Sequence, residues 1–197
     1  MNHEFIKLFE IVIASSLINN FVFTRFLGLC IFFGVSKKME TAAGMSLTFT
    51  AVMMISSALS WVVFNLIMVP FGLEFLKIVI FIGIVAGLVQ ASDTIMRKIA
   101  PALFHKLGIY LALISTNCII MAVPVINVDE HHSFLESLAL GLGSGIGFAL
   151  ALVIMASMRE KLELANVPKP FRGLPIAFIV TGMIALAFTG FSGLIPE

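Results

Sequence analysis

The chain is expected to be an all-α integral membrane protein, and three observations predict it. Of its 197 residues, 60% are hydrophobic and only 12% are charged, whereas soluble domains average about 25% charged and 45–50% apolar residues. Mean hydropathy is +1.11. The apolar residues run continuously instead of alternating, which favours membrane helices over barrel strands. The net charge of +1 gives no footprint for nucleic acid, and none is expected as a partner.

Six apolar segments follow in order, with cores near 5–33, 42–69, 75–95, 107–126, 134–158 and 174–194. Each is long enough to cross a hydrocarbon layer of about 30 Å as a helix. The first exceeds the length of a signal h-region and no small-residue cleavage site follows it, so a retained span is expected. Its Asn19-Asn20 pair reads as a helix break, because Asn competes for backbone hydrogen bonds. The fifth carries glycines at 141, 143, 145 and 147, a small face on which helices approach closely. No strand precedes these glycines and no Lys-Ser/Thr follows, so a phosphate loop is not indicated.

Charge in the connections sets the topology. The first holds Lys37 and Lys38, the third Arg97, Lys98, His105 and Lys106, and the fifth Arg159, Lys161, Lys169 and Arg172. Nine of the twelve Lys and Arg residues thus lie in odd-numbered connections. The fourth offers Asp129, Glu130, His131 and His132 with no Lys or Arg. The positive-inside rule then puts odd connections in the cytoplasm and both termini outside. Six such spans divide into halves of about 1–98 and 99–197 with opposite orientation, the inverted three-plus-three repeat of many transporters.

Cys30 and Cys118 are the only cysteines, and they fall on segments one and four, the equivalent positions of that repeat. Aligning them pairs Ile31 with Ile119 and Val35 with Val123. At 1.5 Å per residue, Cys30 lies about 10 Å below Lys37 and Cys118 about 18 Å from Lys106, both near mid-membrane. Thiolates are soft ligands for iron–sulfur clusters, zinc or copper(I), and cluster iron is usually held by four. Two thiols cannot complete such a site without a second chain. The plainer alternative is packing, since Cys is a small residue that buries readily. Polar residues inside spans form a second candidate group: Asn19, Asn20, Arg25, Asn65, Gln90, Asp93, Thr116 and Asn117. A charge in hydrocarbon costs at least about 2.5–3.5 kcal/mol, so Arg25 and Asp93 need a partner or water. These residues read either as an ion path or cofactor wall or, for Asp93, as a carboxylate neutralised by Arg97 four residues on. Gly28 beside Arg25 suggests irregular backbone. The rigid basic turn Val167-Pro168-Lys169-Pro170-Phe171-Arg172-Gly173 suits a soluble partner.

The strings Asn19-Asn20-Phe21-Val22, Phe26-Leu27-Gly28-Leu29-Cys30, Gly34-Val35-Ser36-Lys37-Lys38, Leu107-Gly108-Ile109, Thr116-Asn117-Cys118, Met158-Arg159-Glu160-Lys161, Phe171-Arg172-Gly173 and Gly190-Phe191-Ser192-Gly193-Leu194 together resemble one family. It contains the Rnf complex's A-type membrane protein and the E-type membrane protein of the sodium-pumping NADH:quinone reductase, and the likeness is nearer the Rnf member. The resemblance implies six helices in an inverted repeat, with helices one and four broken. It implies a homologous, oppositely oriented partner (the Rnf complex's own E-type membrane protein) and a 2Fe-2S cluster shared at the membrane centre. Cys30 and Cys118 would be this chain's ligands, with Asn20, Arg25, Gly28, Asp93, Thr116 and Asn117 as possible cluster wall or ion path. The further Rnf components, of types B, C, D and G, would complete a translocase in a bacterial or archaeal cytoplasmic membrane. That complex passes electrons between ferredoxin and NAD and moves sodium ions or protons. No flavin or NAD site is expected in this chain. The rival class is an inverted-repeat ion-transport or scaffold protein without a redox centre.

Overall fold

A computed structural model describes residues 2–72, 74–99 and 117–191. All regular structure among them is helical. Three helices are long and apolar enough to cross a membrane, spanning Met39–Phe71, Lys77–Ile95 and Phe134–Leu164. They match segments two, three and five. Segment one is two helices: α1 (Asn2–Ile13), prolonged by a π-helical turn Ala14–Ile18, and α2 (Leu29–Val35). Next come α3 (Met39–Val63), which continues through a π turn at Phe64–Met68 to Phe71, and α4 (Lys77–Ile99). Segment four is described only from Asn117 onward, as α5 (Cys118–Asp129); the rest of it, with His105, Lys106 and Thr116, lies outside the described residues. At about 1.5 Å per residue, the 12 residues of α5 and the 7 of α2 cover about 18 and 10 Å, well short of a hydrocarbon layer of about 30 Å. Then follow α6 (Phe134–Leu164) and α7 (Leu174–Thr189).

Helix α6 is the spine. Of its apolar span, 61% is buried, against 17% for α4, which turns most of its surface outward. It begins at a capping box: the Ser133 backbone N–H donates to Glu136 at 2.8 Å while Ser133 Oγ accepts from the Glu136 N–H. This reciprocal cap satisfies two otherwise orphaned donors. Its glycines let α1 and α3 close on opposite sides. A Cβ on Gly141 or Gly145 would lie 3.0 Å from Ser57 Cβ or 2.7 Å from Thr50 Cγ2 of α3. One on Gly143 would collide with Ser15 Oγ, and one on Gly147 would lie 3.0 Å from the Ser16 carbonyl oxygen. Phe49 and Phe148 stack across the α3–α6 seam at 4.1 Å between ring centres.

The connections fall into two sets. Lys77 of the second pairs with Asp129 of the fourth, Trp61 Nε1 donates to the His132 carbonyl at 2.9 Å, and Lys7 near the N-terminus pairs with Glu136. At the other end, Lys37 of the first connection lines one cavity with Val167 and Arg172 of the fifth. Spans that cross alternately require this grouping. A buried polar chain joins the first end to the core: His132 Nδ1 to Asn127 Oδ1 at 3.1 Å, Asn127 Nδ2 to Ser57 Oγ at 3.0 Å, and Ser57 Oγ to the Ser137 carbonyl at 2.6 Å.

Candidate functional site

The break in segment one is built around Asn20. Its buried side chain donates from Nδ2 to the carbonyls of Ser16 at 3.0 Å and Gly147 at 2.9 Å, and its Oδ1 accepts from the Val22 N–H at 3.0 Å. The bonds to Ser16 and Val22 satisfy backbone groups that the broken helix frees, which hydrocarbon cannot do, and the bond to Gly147 ties the break to α6. The loop is also held by Phe23, fully buried between Phe32 of α2 at 6.0 Å and Phe188 of α7 at 4.7 Å. Two left-handed residues, Phe26 (φ 53°) and Gly28 (φ 74°), turn the chain into α2. Asn20 is therefore a stitch in the fold.

Gly28 caps α2 and Asn117 caps α5, and the two caps touch. A Cβ on Gly28 would lie 2.8 Å from Ile119 Cδ1 and 3.0 Å from Asn117 Oδ1. Asn117 is buried and extended, and its Oδ1 accepts from the Ile119 N–H at 2.9 Å, an ordinary N-cap bond. Its Nδ2 is buried with no acceptor among the described residues. Cys30 is thus the second residue of α2 and Cys118 the first of α5. Ile31 and Ile119, and Val35 and Val123, the pairs given by aligning the cysteines, are all buried. Both thiols, by contrast, are free and exposed on the chain.

The other candidates lie apart from this pair of caps in character. Arg25 is exposed, its guanidinium 5.5 Å over the Phe21 ring. Asp93 accepts from Arg97 Nε at 3.0 Å, one turn on along α4. Asn19, Asn65 and Gln90 are exposed. No group of three or more His, Cys, Asp and Glu side chains able to hold a metal occurs among the described residues. The buried Asn127–Ser57–Ser137 chain escaped the sequence reading. Its available signal was the cluster Ser56, Ser57 and Ser60 within an apolar run, hydroxyls that need partners once buried.

A broken first span, a second half-span helix beginning at a cap, and a glycine-lined spine define a membrane protein of the discontinuous-helix type. The chain belongs to the Rnf-Nqr family of membrane subunits, whose model matches residues 8–195. It is 54% identical over 183 residues to the A-type component of the proton-translocating ferredoxin:NAD(+) oxidoreductase complex of Clostridium ljungdahlii, covering 93% of this chain and 95% of that one. It is 48% identical over 190 residues to the A-type component of the ion-translocating oxidoreductase complex of Syntrophotalea carbinolica, covering 96% and 98%. The corresponding protein of Edwardsiella ictaluri is 47% identical over 185 residues, covering 94% and 96%.

Proposed function

We propose that this chain is the A-type membrane component of an ion-translocating ferredoxin:NAD oxidoreductase, and that Cys30 and Cys118 supply half the ligands of an intramembrane 2Fe-2S cluster. A homologous membrane protein of opposite orientation supplies the other two. One observation carries the reading: the two cysteines of the chain stand in the first turns of helices whose caps touch, and both thiols face outward. Packing cysteines in such a place would be expected to be buried like their neighbours Ile31 and Ile119. The donor set fits half of a four-thiolate site, and among the described residues nothing completes it. Bound there, a 2Fe-2S cluster supplies a one-electron carrier inside the bilayer.

The chain's own residues do the positioning. Gly28 and Asn117 hold the two helix starts against each other, so each cysteine stands within two residues of the touching caps. Asn20 and Phe23 anchor the loop behind Cys30, which keeps irregular backbone away from lipid. On this reading the basic connections face the cytoplasm, both termini lie outside, and the remaining Rnf components carry the nucleotide and flavin chemistry.

The test is EPR spectroscopy with iron analysis on the purified complex, comparing wild type with Cys30→Ser and Cys118→Ser. A reduced 2Fe-2S signal that disappears in both variants while the complex still assembles is the expected result. An unchanged signal and iron count would sink the ligand assignment and leave an ion-transport or scaffold protein without a redox centre.

A further inference from the structure

At the end of the bundle that carries the basic connections, a cavity of about 410 Å³ opens between the close of α6, the turn that follows it, and the start of α7. Roughly 300–1,000 Å³ is the ordinary range of ligand sites. Three cations line it, Lys37, Arg159 and Arg172, against one acid, Glu163; Leu162, Ala165, Val167 and Ile176 supply apolar wall. Arg172 is tied down by its Nε, which donates to the Val167 carbonyl at 3.0 Å. Arg159 sits 5.9 Å over the Phe33 ring, and Phe33 is in turn wedged on Phe178 at 4.2 Å.

The decisive feature is the Arg159 guanidinium. Its Nε and Nη2 are both buried and have no acceptor among the described residues. These two nitrogens form one edge of the planar fork, with parallel N–H bonds spaced for a pair of oxygens on one atom. Buried donors of a charged group are rarely left unsatisfied, because each forfeits strong hydration. Glu163, one turn on, lines the same cavity but does not pair with this edge. Lys37, Arg172 and the apolar wall line the same cavity.

We propose that this cavity binds a phosphate oxyanion through the Nε–Nη2 edge of Arg159, with Lys37 and Arg172 neutralising the remaining charge. The mixed lining at a membrane–water boundary suits the headgroup of an anionic phospholipid, as basic pockets between membrane helices do. A free phosphate or the phosphate of a soluble solute offers the same oxygens. The site is separate from Cys30 and Cys118 and does not depend on the cluster reading.

Native mass spectrometry of the intact complex in neutral detergent tests this directly. Phosphatidylglycerol, phosphatidylcholine and inorganic phosphate are titrated in parallel arms. Saturable phosphatidylglycerol binding above that of phosphatidylcholine, resistant to inorganic phosphate, identifies a lipid headgroup site. Inorganic phosphate that binds or displaces the lipid identifies a site for soluble phosphate. In either case Arg159→Lys keeps the charge but loses the paired edge, and affinity should fall about ten-fold or more, as one charge-assisted hydrogen bond is lost. Lys37→Gln should weaken binding and Glu163→Gln should tighten it; both side chains are exposed, so these variants decide the matter even if Arg159 variants fail to assemble. Equal binding of both lipids with no phosphate binding, or affinities unmoved by Lys37→Gln and Glu163→Gln, overturns the proposal.

Discussion

Replacing Gly28 with alanine tests the touching caps with a magnitude that can be worked out beforehand. Gly28 has φ 74°, and a side chain there costs about 1–2 kcal/mol in the left-handed region. The new Cβ would also sit 2.8 Å from Ile119 Cδ1 and 3.0 Å from Asn117 Oδ1. Ile119 can swing away at about 0.5–1.5 kcal/mol for an off-rotamer angle. Asn117 has less freedom, because its Oδ1 caps α5, and losing a cap costs about 1 kcal/mol. The total comes to about 2.5–4.5 kcal/mol. Gly72→Ala is the internal control: Gly72 has φ 65°, but nothing lies within 4 Å of its Cβ position, so only the backbone contribution remains. The two variants should therefore differ by about 1.5–2.5 kcal/mol, the sum of the rotamer and cap contributions. Detergent-denaturation midpoints of the purified complex, with iron content measured on the same samples, give the comparison. Gly28→Ala should melt first and lose iron, and Gly72→Ala should keep it. Equal midpoints and equal iron would refute the idea that the two helix starts support each other.

Two further substitutions separate structural from conductive roles. Asn20→Leu strands the Ser16 carbonyl and the Val22 N–H and cuts the tie to the Gly147 carbonyl of α6, so a loss of about 2 kcal/mol or more is expected at roughly 1–3 kcal/mol per buried orphan, seen as a lower thermal midpoint and poor assembly. A stable Asn20→Leu complex with altered ion dependence of turnover would instead make Asn20 part of an ion path. Asp93→Asn breaks a pair whose partner side chain is 61% exposed; it should change stability by less than about 0.5 kcal/mol and leave turnover intact. Loss of ion pumping in a normally assembled Asp93→Asn complex would contradict that.

Much of this architecture can be read from the amino acids because lipid makes the rules strict. Continuous apolar runs in a chain this poor in charge leave only helices, and the second and fourth connections meet where Lys77 pairs with Asp129. The Asn19-Asn20 break was visible because two amides in an apolar run compete with the helix ladder. What those amides bond to was not: Gly147 is distant in sequence, and nothing local marks it as the acceptor. Cys30 and Cys118 could be matched by position along their spans, yet their outward direction depends on where each short helix starts and which face its neighbours cover. Arg159 counted only as one of several basic residues after segment five, since a burial that strands one edge of a guanidinium arises from packing on Phe33 and has no local signature.

The alternating glycines of α6 carry a consequence for how this chain can change length. Gly141 and Gly145 face α3 while Gly143 and Gly147 face α1, so both seams are read off one stretch of seven residues. Inserting or deleting a single residue within it turns everything beyond by about 100°. Leu142 or Ile146 would then be driven into a seam that has no room even for a methyl group. The turns between helices can gain or lose residues without disturbing either seam. Within 141–147 the length of the chain is locked as firmly as its composition, and the break at Asn20 inherits that constraint through the Gly147 carbonyl.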